Sequence, residues 1–217
     1  MKTLRESLLD DDLVDKTDEY IKDEIEKFLK ANYNGTIKIS QKPNADGKYE
    51  VSSNSVVEVI NKNITSLTNG IFIWTTVDGS FSVIDCISLK SLEGAPEKVG
   101  RTFNCSECTS LKSLEGTPEN VEGCFYCDGC NSLKSLEGAP KKVRGDFYCI
   151  NCRSLKTLDG SSQTVNRSFY CNNCSSLTSL NGAPKKVDGD FNCYGCAGKF
   201  TIEDVKKISN VKKDIIC

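Results

Sequence analysis

Apolar residues recur along most of this chain at a fixed interval of 22 residues, and polar residues fill the positions between them. One column is valine throughout: Val77, Val99, Val121, Val143, Val165 and Val187. The next is phenylalanine: Phe81, Phe103, Phe125, Phe147, Phe169 and Phe191. Two cysteine columns follow, Cys105, Cys127, Cys149, Cys171, Cys193 and Cys108, Cys130, Cys152, Cys174, Cys196, headed by Val83 and Cys86. Then come two leucine columns, Leu89, Leu111, Leu133, Leu155, Leu177 and Leu92, Leu114, Leu136, Leu158, Leu180. Each unit closes on a glycine (Gly94, Gly116, Gly138, Gly160, Gly182), with a proline soon after at Pro96, Pro118, Pro140 and Pro184.

One unit is too small to bury its own apolar columns, so the pattern predicts a solenoid in which each coil covers the next. The alternation in Asp146-Phe147-Tyr148-Cys149 has the period of a strand, which puts Phe147 and Cys149 inward and Tyr148 outward. The Gly-x-Pro step predicts an irregular return, because proline fixes φ and lacks the N–H that a ladder needs.

The motif Phe-x-Cys-x-x-Cys-x-x-Leu-x-x-Leu resembles the leucine-rich-repeat pattern, in which a strand is followed by an inward Asn or Cys and then by more leucines. The unit Ser-Leu-Glu-Gly-Ala-Pro-Lys-Lys-Val, ending at Val143, is similar to leucine-rich repeats of bacteriophage and gut-bacterial proteins of unknown function. The opening Lys-Thr-Leu-Arg-Glu-Ser-Leu-Leu-Asp-Asp resembles proteins of tailed phages from gut bacteria. The repeat resemblance covers roughly residues 50–217. It implies a leucine-rich-repeat solenoid with a parallel sheet; with the residue patterns at the two ends, the expected fold is mainly β, of about six coils, with an N-terminal helix and hairpin cap and short helices at the ends. One residue more than that pattern carries separates the second cysteine from the leucine, which leaves the turn after the strand open.

Four segments are expected. Residues 1–34 pair an acidic lead-in (Asp10, Asp11, Asp12, Asp15) with an amphipathic helix over 17–32. Thr17 is its expected N-cap, and Tyr20, Ile21, Ile25, Phe28 and Leu29 share one face. That helix either covers the open end of the first coil or docks a partner. Residues 35–76 read as a β cap and a degenerate first coil. There, strands at 36–40 and 49–51 flank the hairpin signal Asp46-Gly47, another spans 56–60, and Ile64-Thr-Ser-Leu67 repeats the leucine spacing. The solenoid occupies 77–198. In 199–217, Thr201-Ile-Glu-Asp204 caps a short helix reaching about Ile208, and Asp214-Ile-Ile-Cys217 adds an edge strand. Atypical ends are what an open stack requires.

Charge narrows the choice of partner. The 28 basic and 30 acidic residues leave a net charge of −2, which disfavours nucleic acid or an anionic membrane surface as the main target. No 18-residue apolar run predicts a spanning helix, and the opening residues lack the apolar core of a secretory signal. Thirteen cysteines without an export signal point to a reducing cytoplasm, that of the host (or a virion) if the gene is phage-borne. The chain has no histidine, no phosphate-binding glycine loop, and no carboxylate pair outside the repeat phase. No catalytic residue, metal or cofactor is therefore expected.

The cysteines admit three readings. Cys-x2-Cys-x18-Cys-x2-Cys, from Cys105 to Cys130, has the spacing of a zinc ribbon. That interval, however, is also the period of the apolar columns. A ladder spreads ligands along an axis at rungs of about 4.8 Å instead of gathering them at a point. Disulfides between rungs would fit the allowed Cα separation, but thirteen is odd and the expected compartment is reducing. The preferred reading is buried free thiols acting as small hydrophobes with a weak S–H donor, the second column facing the backbone of the turn. Cys124 departs from the columns. It holds the strand position occupied elsewhere by Asp146 and Asp190, and is the candidate exposed thiol.

The residue between phenylalanine and the first cysteine faces outward: Ser82, Asn104, Tyr126, Tyr148, Tyr170, Asn192. The flanking outward columns are Thr102, Cys124, Asp146, Ser168, Asp190 and Ser106, Asp128, Ile150, Asn172, Tyr194. These vary from coil to coil while the inward columns stay constant. A constant core under a varied face predicts a surface for an unidentified protein partner. It centres on Tyr126, Tyr148 and Tyr170, with Tyr194, Asn104, Asn192, Asp128, Ile150 and Asn172 around them. The plainer alternative is that tyrosines pair well on neighbouring strands. Lys90, Lys112, Lys134 and Lys156 lie beside Glu93, Glu115, Glu137 and Asp159 and read as a solvated ridge.

The expected function is a non-catalytic recognition scaffold, directed at a host or phage protein. The alternatives are a structural or virion component that assembles through its ends, and a Cys-x-x-Cys zinc, iron–sulfur or redox protein. Fold analogy does not choose among them, since repeat folds serve unrelated tasks. No sequence signal bears on oligomeric state.

Overall fold

Two ladders hold the coils together in the computed structural model, which describes residues 11–217. The cap comes first: α1 (Asp11–Asn32), β1 (Tyr33–Asn34), β2 (Ile37–Ile39), β3 (Tyr49–Ser53), β4 (Val57–Val59) and β5 (Phe72–Val77). The repeats then alternate phenylalanine and valine strands of two residues: β6 (Phe81–Ser82), β7 (Lys98–Val99), β8 (Phe103–Asn104), β9 (Asn120–Val121) and β10 (Phe125–Tyr126). The series continues through β11 (Lys142–Val143), β12 (Phe147–Tyr148), β13 (Thr164–Val165), β14 (Phe169–Tyr170), β15 (Lys186–Val187) and β16 (Phe191–Asn192). It ends on α2 (Ile202–Ile208), β17 (Asn210–Val211) and β18 (Ile215–Ile216).

The phenylalanine strands form one nine-stranded sheet, from β1 through β4 and the even-numbered strands to β18, and the valine strands form a second of nine, from β17 to β2. Pairing is parallel except at the cap, where β1 meets β4 and β2 meets β3 antiparallel. The mainly β, parallel solenoid is thus as expected, while the return on its other side is a sheet in its own right. Valine is β-branched and inward there, and each proline falls just ahead of the paired residues, where its missing N–H costs the ladder nothing. In the unit without proline, Ser162 takes that place, buried, and its hydroxyl donates to the Pro140 carbonyl.

Like residues sit over like. Val143 pairs with Val165 and Phe147 with Phe169, so a slip of one residue would turn a whole apolar column to solvent. Phenylalanine rings from Phe81 to Phe191 follow one another at 5.0–5.7 Å between centroids, and valine, cysteine and leucine columns are buried around them.

The turn left open by the spacing resolves into a column of left-handed residues between the two cysteines. Asp85, Glu107, Gly129, Asn151, Asn173 and Gly195 all have φ between 58° and 73°. Gly, Asn and Asp tolerate that conformation best; Glu107 is the exception.

At the first end, α1 lays Ile25 and Leu29 into the core, with Ile21 and Phe28 packed against it. The Phe28 ring lies 5.7 Å from Phe72, and Tyr33, Trp74 and Phe81 carry the aromatic column into the repeats. The Tyr33 hydroxyl donates to the Leu67 carbonyl at 2.6 Å. Three sequence expectations change here. The helix already runs from Asp11, so Asp11, Asp12 and Asp15 belong to it and Thr17 lies inside it and is not its N-cap. Tyr20 is 63% exposed and leaves the buried face. Asp10 lies outside the described residues. At the other end, Thr201 caps α2 in a reciprocal box with Asp204. Among the described residues, no helix is long and apolar enough to cross a membrane.

The glycine that closes each unit takes a left-handed turn against the previous coil. At Gly160 φ is 85°, and an added Cβ would lie 2.4 Å from the Glu137 Cα, whereas Gly47, at 74°, has open space around it. Gly47→Ala is therefore expected to cost about 1 kcal/mol through backbone strain alone, and Gly160→Ala about 3 kcal/mol. Urea denaturation of the two variants would measure the difference, and equal costs would contradict coil contact as close as this.

Candidate functional site

Strands β10, β12 and β14 place Tyr126, Tyr148 and Tyr170 side by side on the outer face of the phenylalanine sheet. The first two rings stack with centroids 4.5 Å apart and planes 2° from parallel; the next pair is at 4.8 Å and 10°. Ring spacing thus matches the rung spacing of the sheet, and all three are half-buried. Burial, reinforced by Asp146 and the neighbouring phenols, holds the Tyr148 hydroxyl protonated beyond the ordinary tyrosine range. Burial raises Tyr126 as well, with Cys124 adding to it. Tyr126 and Tyr148 therefore present hydroxyl donors.

The strip ends at asparagines with backbone work of their own. Asn104 accepts from the Ser106 amide at 2.9 Å, and Asn192 from the Tyr194 amide at 3.0 Å. Of the next outward column, Tyr194 is 63% exposed, while Ile150 and Asn172 are half-buried. Asp128 accepts the Ile150 amide at 2.7 Å. Burial, then the nearby Glu107, push its carboxyl up to about 6, against the opposing effect of that amide.

The column on the other side of the tyrosines is a ladder of side chains on backbone. Ser80 accepts the Thr102 amide at 3.3 Å, Cys124 that of Asp146 at 3.4 Å, and Asp146 that of Ser168 at 2.8 Å. Ser168 then accepts from Asp190 at 3.0 Å, and Asp190 from Asp214 at 3.2 Å. Every acceptor is short because it must reach one rung and no further. Variation in this column therefore reflects interchangeable acceptors more than a tailored surface. Cys124 is a rung of that ladder: half-buried, its thiol also donating to Asp146 Oδ2 at 3.7 Å.

Beneath the strip run the two cysteine columns. Cys105, Cys127, Cys149 and Cys171 donate forward to the carbonyls of Tyr126, Tyr148, Tyr170 and Asn192 at 3.3–3.5 Å. Cys108, Cys130, Cys152, Cys174 and Cys196 donate backward to the carbonyls of Val83, Cys105, Cys127, Cys149 and Cys171 at 2.9–3.1 Å. Burial raises the first-column thiols Cys105, Cys127, Cys149 and Cys171 far above the ordinary range. They are neutral donors pinning the tyrosine-bearing strands from below. Among the described residues, no group of three or more His, Cys, Asp or Glu is arranged to hold a metal ion.

The 22-residue alignment missed one rung. β18 pairs Phe191 with Ile215 and Asn192 with Ile216, which sets Cys217 beside Cys193 as a further member of the first column. The signal is present: Val211, Ile215 and Cys217 repeat Val187, Phe191 and Cys193, displaced by the 24-residue interval that makes room for α2. No protein-family model, curated protein or solved structure matches the chain.

Two measurements test this arrangement. Iodoacetamide applied to the native chain is expected to label Cys217 first and Cys124 more slowly, with the other eleven thiols protected until unfolding. Rapid labelling of the paired columns would refute their burial. The Asp128 carboxyl has a folded pKa of about 6 against 3.8 for the unfolded group, so the fold favours its protonated form. Its contribution to stability is complete below the lower value and is lost as pH rises through the upper one. Asp128→Asn should therefore stabilise the chain by about 1 kcal/mol at pH near 7.5, after discounting for solvent screening, and give no gain near pH 4. Thermal melts of both proteins at the two pH values check the sign.

Proposed function

We propose that the outer face of the phenylalanine sheet recognises a protein, with Tyr126, Tyr148 and Tyr170 as anchors. The observation that carries this reading is the parallel, half-exposed stack of three rings held at 4.5 and 4.8 Å. Rings already locked in place offer contact area and hydroxyl donors with little conformational entropy left to lose on binding. Exposed Tyr194 extends the apolar surface beyond them. Asp128, Asp146 and Asp190 flank the strip, and no lysine or arginine stands in its three columns, so the complementary surface carries Lys or Arg.

The leucine-rich-repeat assignment belongs to the same proposal. Its support is the buried leucine columns and the inward cysteine that donates to the preceding coil where that pattern carries Asn or Cys. A phage or gut-bacterial source rests on the repeat unit and the opening residues alone. A reducing cytoplasm suits a core containing this many free thiols.

The test is immobilisation of the chain and capture from a lysate of its native source. Proteins retained by the wild type should be lost when Tyr126, Tyr148 and Tyr170 are changed together to Thr, a residue chosen to keep strand propensity. They should persist when Lys134 and Lys156, on the solvated ridge, are changed to Ser, and should elute as salt rises. Capture that survives the tyrosine changes in a variant with native circular dichroism would refute the proposal.

A further inference from the structure

We propose that Cys193 and Cys217 are a redox pair whose disulfide staples the last coil onto the stack. The pairing of β16 with β18 places the two residues next to each other on parallel strands. Adjacent strands lie about 4.8 Å apart, inside the Cα range a disulfide spans. Their sulfurs stand 3.2 Å from one another. This sets them apart from Cys105, Cys127, Cys149 and Cys171, whose thiols are turned onto carbonyls of the next coil. Here each sulfur has the other as its neighbour.

Exposure assigns the order of events. Cys217 is exposed and Cys193 is buried, so an oxidant in solution meets Cys217 first. With a small-molecule disulfide as the oxidant, Cys217 gives up its proton to water, its thiolate attacks one of the disulfide sulfurs, the S–S bond breaks, and the first small thiolate leaves and takes up that proton. Cys193 then attacks the Cys217 sulfur of the mixed disulfide. Its proton passes to the departing second thiolate. Two cysteine thiols are oxidised and one small disulfide is reduced to two thiols. Burial holds the Cys193 thiol above its ordinary range, which makes this second attack the slower step.

The bond would close a loop containing α2, β17 and β18, which among the described residues has a coil on one side only. Ends of a stack open most readily, and a cross-link there restricts the opened state. The proposal is independent of what the tyrosine face binds.

The test uses the full chain incubated with oxidised glutathione, followed by alkylation and peptide mass spectrometry. The expected result is a linked pair of peptides containing Cys193 and Cys217, lighter than their sum by two hydrogens, with two fewer free thiols in the unfolded protein. The melting temperature should rise by about 5 °C and return on reduction. Cys217→Ser should abolish both the bridge and the shift, and Cys124→Ser should leave both intact. Glutathione that stays on Cys217 without transfer, or a bridge formed through Cys124, would overturn the proposal.

Discussion

No coil of this protein can bury its own phenylalanine and valine, and that single constraint organises the rest. Each inward column is covered only by the same column one turn away, so the interval between turns has to be kept nearly constant. Left-handed residues between the cysteines and the closing glycines keep the path identical from coil to coil. At those glycines there is no room between coils for a Cβ. The cap answers the same constraint at the first end, where α1, Tyr33 and Trp74 cover the first phenylalanine rung.

Cysteine suits this architecture for a reason that separates it from serine and from valine. A rung position needs a side chain small enough to lie in the core and able to donate one weak hydrogen bond to a neighbouring carbonyl. A hydroxyl there would carry a larger desolvation cost, and a methyl group could not donate. The two columns donate in opposite directions, forward from Cys127 and backward from Cys130, so most coils are tied to both neighbours. The Cys-x-x-Cys repeat is accordingly a device for holding strands in register. Its spacing coincides with that of metal-binding motifs because both place two residues on one tight turn.

The outer face is defined by what the backbone leaves unused. On one side of the tyrosines, Cys124, Asp146, Ser168 and Asp190 are committed to amides of the next coil, and at the ends of the strip Asn104 and Asn192 are committed to their own turns. The three stacked rings carry no such duty in the backbone. Their order comes from the sheet beneath, because parallel strands in register bring identical side chains to the separation at which aromatic rings stack.

Strand period, the inward set of Phe147, Cys149 and Leu155, the short helix behind Thr201 and the existence of a parallel stack were all legible in the linear order of residues. They are local or periodic properties, and a period survives whatever the chain does between its repeats. The pairing of the valine column into a second sheet and the commitment of Cys124 to an amide were not, and the rung at Cys217 shows only when an interval of 24 residues is allowed. Each depends on which atom of one coil meets which atom of the next, a distance set only when the coils are stacked. Cys217 was hidden by the two residues that α2 adds to its turn, and Cys124 by an acceptor role that sulfur, carboxylate and hydroxyl each fill on different coils. The order of residues could say that this chain repeats; the contact between successive turns decided which side chains hold it together and which are left to face outward.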